Sequence, residues 1–216
     1  MLVPALSAVL IIRVSDAPTH SEQSSGFLHI ARKVWLPGSG AAFSSVGYGA
    51  ILAFGSLLFA NRGWDPVWLP FAAYVVGLIA ARACLGQLPD KFGGARIALA
   101  FVCVEAAGLL IIWLASSPNT AAFGAALTGF GYALVYPGMG AEALGRVPPQ
   151  SRGLALGIYT AFLDLALGLG SAVLGLVAAR TGVVSAFLAG MVAVLLAAVI
   201  SLIMIVRPAR TSPDSV

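Results

Sequence analysis

The feature that most constrains this chain is a series of long apolar intervals in which ionised side chains are absent or solitary. An ionised group at the centre of a bilayer costs at least about 2.5 kcal/mol even on the most lenient scale. Intervals of roughly 20 apolar residues therefore mark spanning helices directly. Six occur, running approximately from Gly38 to Ala60, Pro66 to Gly86, Ala95 to Ala115, Thr120 to Ala143, Gly153 to Ala178 and Gly182 to Val206. Only 9% of the 216 residues are charged and 60% are apolar, against roughly 25% charged in soluble domains. Six spans use up most of the length, which leaves no room for a catalytic domain outside the membrane.

The connections, NRGWD, QLPDKFGG, SSPN, GRVPPQSR and ARTG, hold the Gly, Pro, Asn and Ser that interrupt helices and form turns. They are short, so successive helices run antiparallel. Counting basic residues on alternate sides gives the orientation. One side collects Arg13, Arg32, Lys33, Arg82, Lys91, Arg96, Arg146, Arg152, Arg207 and Arg210, the other only Arg62 and Arg180. The positive-inside rule places the first side, with both termini, in the cytoplasm. The net charge of +4 is thus topological, and singly scattered basic residues exclude a nucleic-acid surface.

Ahead of the first span, residues 1–37 form a separate region. Met1 to Ile12 is apolar but too short to span, and lacks the basic start and cleavage site of a signal peptide. It reads as the last turns of a helix whose beginning lies outside the sequence. From Arg13 to Pro37 the chain is polar; its second half mixes Phe27, Leu28, Ile30, Val34 and Trp35 with His29, Arg32 and Lys33, a pattern that suits either a short amphipathic helix on the inner leaflet or a linker. Residues 38–206 are the bundle, and residues 207–216 a cytoplasmic tail.

Most membrane chemistries fail on inspection. A P-loop needs Gly-Lys followed by Ser or Thr, but Lys33 and Lys91 precede Val34 and Phe92. A serine protease needs a histidine base beside its nucleophile, and His20 and His29 both lie in the leading region. Cys84 and Cys103 sit in apolar segments with no metal-binding or redox spacing; no metal or cofactor is expected. Ser45-Val46-Gly47-Tyr48-Gly49 mimics the carbonyl filter of potassium channels, but no complete helix precedes it and Ala50 to Ala60 continues as apolar helix. Small-residue helix packing is the better reading, and a channel remains a rival class.

The loop after the second span reads Gly86, Gln87, Leu88, Pro89, Asp90, Lys91, Phe92, Gly93, Gly94, Ala95, Arg96. Gly86 permits close helix approach, Asp90 suits a helix N-terminus, Gly93 a tight reversal, and Lys91 and Arg96 the cytoplasmic face. The stretch resembles the GxLxDRxG signature of the major facilitator superfamily, with Gly94 and Ala95 standing where a basic pair is usual. From Arg32 to Arg207 the chain is similar to the C-terminal six helices of bacterial drug- or sugar-efflux members, near the arabinose-exporter-like branch. The stretches that carry the likeness include GWD at 63–65, VEAAGLLI at 104–111, GFGYALVYPGMG at 129–140 and YTAFLDLALG at 159–168.

The resemblance implies an all-α membrane protein of six helices arranged as two inverted three-helix repeats, half of a major-facilitator fold in a bacterial inner membrane. It implies secondary transport of a small organic solute, as efflux coupled to protons, and no enzymatic activity. The N-terminal half would then be missing: a truncated product is expected, with a parallel homodimer or a non-transporting structural remnant as rivals. A proline-containing antiport motif on the fifth helix is absent, since Gly168 to Gly175 holds Ser171 and Ala172 instead.

Within that frame the candidates for solute or proton handling are Asp164 first, then Glu105, Tyr132 and Tyr136. Glu105 and Asp164 each lie about ten residues into a helix that starts at the cytoplasmic face, roughly 15 Å deep. Lone carboxylates at that depth face a cavity or a partner, and the fifth helix of a half borders the cavity in this superfamily. Phe130, Tyr132 and Tyr136 precede Pro137, where the helix can bend. Arg82 and Glu142, at cytoplasmic ends, read as anchors or an inner ion pair. Gly153, Gly157 and Ala161 recur every four residues and predict close packing against a neighbouring helix.

Overall fold

A computed structural model describes residues 20–207. Among them the regular structure is entirely helical: α1 (His20–Arg62), α2 (Leu69–Leu85), the short α3 (Leu88–Phe92), α4 (Gly94–Leu114), α5 (Pro118–Gly145), a 3-10 turn (Pro149–Ser151), α6 (Arg152–Thr181) and α7 (Val184–Val206). Four stretches, residues 26–62, α4, residues 149–181 and α7, are long and apolar enough to cross a membrane by length and composition. The fourth expected interval became α5, 28 residues interrupted by Pro137, and the second became α2, apolar but 17 residues long.

The turns form where the backbone needs residues without a side chain. Gly63, Gly93 and Gly182 adopt φ of 65°, 88° and 94°, a region that costs other residues steric strain. At the start of α5 the side chain of Ser117 accepts the Thr120 N–H at 3.3 Å, satisfying one of the donors that a helix leaves free at its N-terminus.

The leading region differs from both expectations made for it. α1 runs without a break for 43 residues from His20 and contains Pro37, so residues 20–37 are neither a linker nor a separate surface helix. Ile30 and Val34 are buried in the bundle core, whereas Phe27, Leu28 and Trp35 are exposed. The apolar side of this stretch is divided between protein and surroundings. At 1.5 Å per residue α1 is about 65 Å long, roughly twice the hydrocarbon thickness. The apolar stub, residues 1–12, lies outside the described residues, as does the tail from residue 208.

α5 is the central helix. It packs along α4 and α2 and also touches α1, while α4 leans on α7, and α1 on α6 and α7. The seams of α5 are lined by glycine. A Cβ at Gly129 would strike the backbone of Tyr74 on α2, one at Gly131 would lie 2.6 Å from Cα of Glu105, and one at Gly124 2.8 Å from the carbonyl of Gly108. Backbone thus meets backbone, the arrangement by which membrane helices gain dispersion energy without a hydrophobic driving force. The stripe that the sequence singled out behaves otherwise. Gly153 and Gly157 on α6 have nothing within 4 Å of a built Cβ, and both, like Ala161, are exposed. Small residues at helical spacing mark a seam only where another helix comes, and in this chain it comes to α5.

Candidate functional site

Glu105 sits where α1, α4, α5 and α7 converge, and it is fully buried. The Oγ of Ser44 on α1 donates to its Oε2 at 2.5 Å. Oε1 has no hydrogen-bond partner among the described residues; it points toward Gly47, whose built Cβ would lie 2.6 Å from it, 2.8 Å from Val194 of α7 and 3.0 Å from Leu109. Two glycines make the position possible. Gly131 lets α5 reach the backbone of Glu105, and Gly47 leaves space for the carboxyl head.

One residue further along α1, the hydroxyl of Ser45 lies 3.1 Å from that of Tyr132 on α5, and it also donates to the Ala41 carbonyl. One turn on, the ring of Tyr48 stacks with both Tyr74 of α2 and Tyr132, at 5.4 Å between centroids in each case. The Tyr74 hydroxyl is buried and, like Oε1 of Glu105, has no partner among the described residues. A polar and aromatic layer therefore crosses the bundle from Glu105 through Ser44 and Ser45 to three tyrosines, of which Tyr74 and Tyr132 are buried and Tyr48 half-buried. Ser45 to Gly49 contributes side chains to this layer from within an unbroken α-helix, so its carbonyls are held in the helix and form no filter.

Tyr136 stands apart from this layer. Its ring is tilted against Tyr159 of α6 at 5.5 Å, and its carbonyl accepts the Tyr159 hydroxyl at 2.7 Å. Pro137 has no N–H, so the carbonyl four residues earlier, that of Ala133, loses its helical donor. Arg82 of α2 reaches this carbonyl through Nε, in a long contact of 3.5 Å. Arg82, read from the sequence as an anchor or ion-pair member, reaches across to α5 one turn before Pro137.

The loop residues are placed as follows. Gly86 closes α2, its N–H donating to the Arg82 carbonyl at 3.1 Å. Lys91 is in the last turn of α3, Gly93 makes the left-handed reversal, and Arg96 is exposed in the first turn of α4. Asp90 is in the α3 backbone, but its side chain lies outside the described residues. The carboxylate at the start of α4 comes from Glu142 on α5, whose Oε1 accepts the Ala95 N–H at 3.0 Å. Sequence reasoning missed this because a cap from another helix has no spacing signature. Its only trace was a carboxylate at the cytoplasmic end of a span.

Asp164 does not join Glu105. It is exposed on α6, on a helix whose membrane-length stretch is the least buried of the four. Leu165, Leu169, Val173 and Leu176 of the same helix are exposed as well. Between α1, α6 and α7 runs an apolar groove of about 450 Å³, lined in part by Phe43, Val46, Phe162, Leu169 and Ala189. The two carboxylates thus differ in setting: one sealed inside the bundle, one on its uncovered side.

Comparison with known proteins agrees with this architecture. The family model of the Major Facilitator Superfamily matches residues 38–216. An uncharacterized MFS-type transporter of Burkholderia mallei is 39% identical over 216 residues, covering 98% of this chain and 53% of the relative. One from Salmonella typhimurium is 35% identical over 205 residues, covering 94% of this chain and 53% of its own length. The chain therefore spans about half the length of these curated relatives. Two solved structures share the fold: a POT peptide transporter in complex with alafosfalin, at TM-score 0.64 and 19% identity over 80% of this chain and 37% of that one, and an auto-inhibited POT family peptide transporter, at TM-score 0.68 and 14% identity over 86% and 39%. With the family model covering most of its length and its relatives being transporters rather than enzymes, this all-helical, multi-pass membrane chain belongs to the Major Facilitator Superfamily.

Proposed function

We propose that this chain is the six-helix C-terminal half of a secondary transporter that exports a small organic solute in exchange for protons across a bacterial inner membrane. Both termini are cytoplasmic in this reading, and the helices form two inverted three-helix repeats, α1, α2 and α4 followed by α5, α6 and α7. The ten-to-two bias of basic residues supports the orientation. The observation that carries the coupling is Glu105, a fully buried carboxyl with one hydroxyl donor and no basic partner among the described residues. Enclosure of that kind suits a group that carries a proton in one conformation and gives it up in another.

Asp164 takes a different part in the same reading. Its exposed surroundings on α6 face outward from this half, and the open glycines beside it leave room for close approach of a further helix. We assign this side of α6 to contact with a complementary six-helix half, with Asp164 at the edge of the solute pathway between the two. Tyr136, against Tyr159 of α6, flanks that pathway from α5, and Tyr132 backs it from the layer inside the bundle.

Proteoliposomes carrying a chimera of the first half of the Burkholderia relative joined to this chain test the reading. An imposed pH gradient should drive solute flux, screened across small organic solutes, and Asp164→Asn should reduce it. Flux indifferent to the gradient, or an ohmic potassium current, contradicts it.

A further inference from the structure

The apolar groove between α1, α6 and α7 has one polar side chain in its lining, Ser39, whose hydroxyl donates to the Leu36 carbonyl at 2.9 Å. No side chain is left to hydrogen-bond a polar solute or to hold water there. Its rim is exposed, Phe43 on α1 and Leu165, Leu169 and Val173 on α6. We propose that this groove holds an acyl chain of an anionic phospholipid, with the lipid phosphate bound by Arg32 on the same face of α1.

Helical spacing joins the two parts of the site. Arg32 lies seven residues before Ser39 and eleven before Phe43, and Trp35 stands at the same intervals before Ala42 and Val46. Seven and eleven residues are close to two and three full turns, so Arg32 and Trp35, both exposed, continue the strip of α1 that lines the groove. Contacts with α6 bracket its length. A Cβ on Gly38 would meet Phe162 at 2.9 Å, and one on Gly170 would meet Val46 at 3.1 Å; α1 and α6 therefore run in parallel through the eight residues between, about 12 Å. Measured from Arg32, Ser39 to Val46 lie about 10 to 21 Å along the helix, and one leaflet supplies about 15 Å of hydrocarbon. A lipid held by its phosphate at Arg32 thus reaches the groove with its chain, and the Trp35 ring sits at the level between them, where amphipathic aromatic groups are favoured.

Charge selects the headgroup. From Gln23 to its end α1 has no acidic residue, and it carries Arg32 and Lys33 side by side. α6 starts with Arg152, α7 is followed by Arg207, and Asp164 is the one acidic residue of the two helices. The same end of all three groove helices is therefore basic, which suits an anionic lipid surface. Asp164 does not oppose this. It is two residues, about 200° of helix, from both Phe162 and Ala166, which line the groove. The carboxylate and the open glycines 157 and 168 thus share the opposite side of α6, the side assigned above to a second half, and the groove side is left to lipid. Placing the headgroup in the inner leaflet rests on the orientation proposed above; the site itself does not depend on transport.

Native mass spectrometry of the whole chain in detergent, titrated with phosphatidylglycerol, tests the site. The wild type should retain one phosphatidylglycerol in preference to phosphatidylcholine of the same chain length, and inorganic phosphate at equal concentration should not displace it. Arg32→Ala, at an exposed position, should bind it about fivefold more weakly, the effect of one basic residue at an anionic lipid surface. Ala42→Trp, which fills the groove, should lose the lipid, and Gly157→Leu, on the opposite side of α6, should bind as the wild type does. Equal retention by Arg32→Ala and wild type overturns the proposal, as does phosphatidylcholine held as tightly as phosphatidylglycerol; neither outcome needs the groove variant to fold. Bound lipid that disappears when the first half of the Burkholderia relative is co-expressed gives the groove to that half and overturns the proposal too. Because retention is measured without solute or gradient, absent proton-driven flux in the chimera leaves the lipid site standing, and loss of the site leaves the transport reading.

Discussion

Replacing Gly47 by alanine would put a methyl group 2.6 Å from Oε1 of Glu105 and 2.8 Å from Val194, closer than such atoms can sit, so the carboxyl or the helix has to shift. Overpacking of this kind costs about 1–3 kcal/mol. Thermal unfolding in detergent should show Gly47→Ala destabilised by that order, with Gly49→Ala, whose built Cβ lies 3.6 Å from Leu167, near wild type. Removing the hydroxyl in Ser44→Ala deprives Oε2 of its donor. Hydrogen bonds inside membrane proteins average about 0.6 kcal/mol and reach about 1.7; the loss should fall toward the upper figure, because no second donor stands by. Glu105 was legible in the sequence as a lone carboxylate at depth. Its partner was not, since Ser44 and Glu105 are 61 residues apart and serine is common in apolar helices.

Among the elements, α5 shows why helix faces were harder to read than helices. Charge-free length located the long helices because most positions along them are apolar, whether covered or not. The same fact hides which side is covered, since both sides of a membrane helix look alike in sequence. The four-residue repeat on α6 was therefore read as a seam, while the working seam lay in the irregular glycines of α5 at 124, 129, 131 and 138. Gly129→Ala, whose Cβ would strike the Tyr74 backbone, should destabilise the bundle far more than Gly157→Ala, which meets nothing; the difference is readable by unfolding in detergent. Pro137 offers a second comparison. Its missing N–H leaves the Ala133 carbonyl to Arg82, so in Pro137→Ala the restored helical donor should compete for that carbonyl and make Arg82→Leu less costly than in the wild-type background. A double-mutant cycle measures that coupling.

On the scale of the whole molecule, the basic bias, the apolar spacing and the cytoplasmic loop motif were sufficient to indicate class and family, because topology in a membrane is governed by charge and length. The arrangement of functional groups was not readable in this way. Two carboxylates at similar helical depth were ranked along the sequence with Asp164 ahead of Glu105, yet packing seals Glu105 between four helices and leaves Asp164 exposed on α6. If the Asp164 side of α6 receives a second half, Gly157→Leu should leave the unfolding of this chain unchanged and weaken its co-purification with the first half of the Burkholderia relative expressed as a separate chain. The central claim is that Glu105 couples solute movement to protons, and solute exchange compared with accumulation in the chimera carrying Glu105→Gln tests it most directly. A fixed neutral side chain should preserve exchange of labelled for unlabelled solute while abolishing accumulation driven by a pH gradient; accumulation that persists in Glu105→Gln contradicts the account.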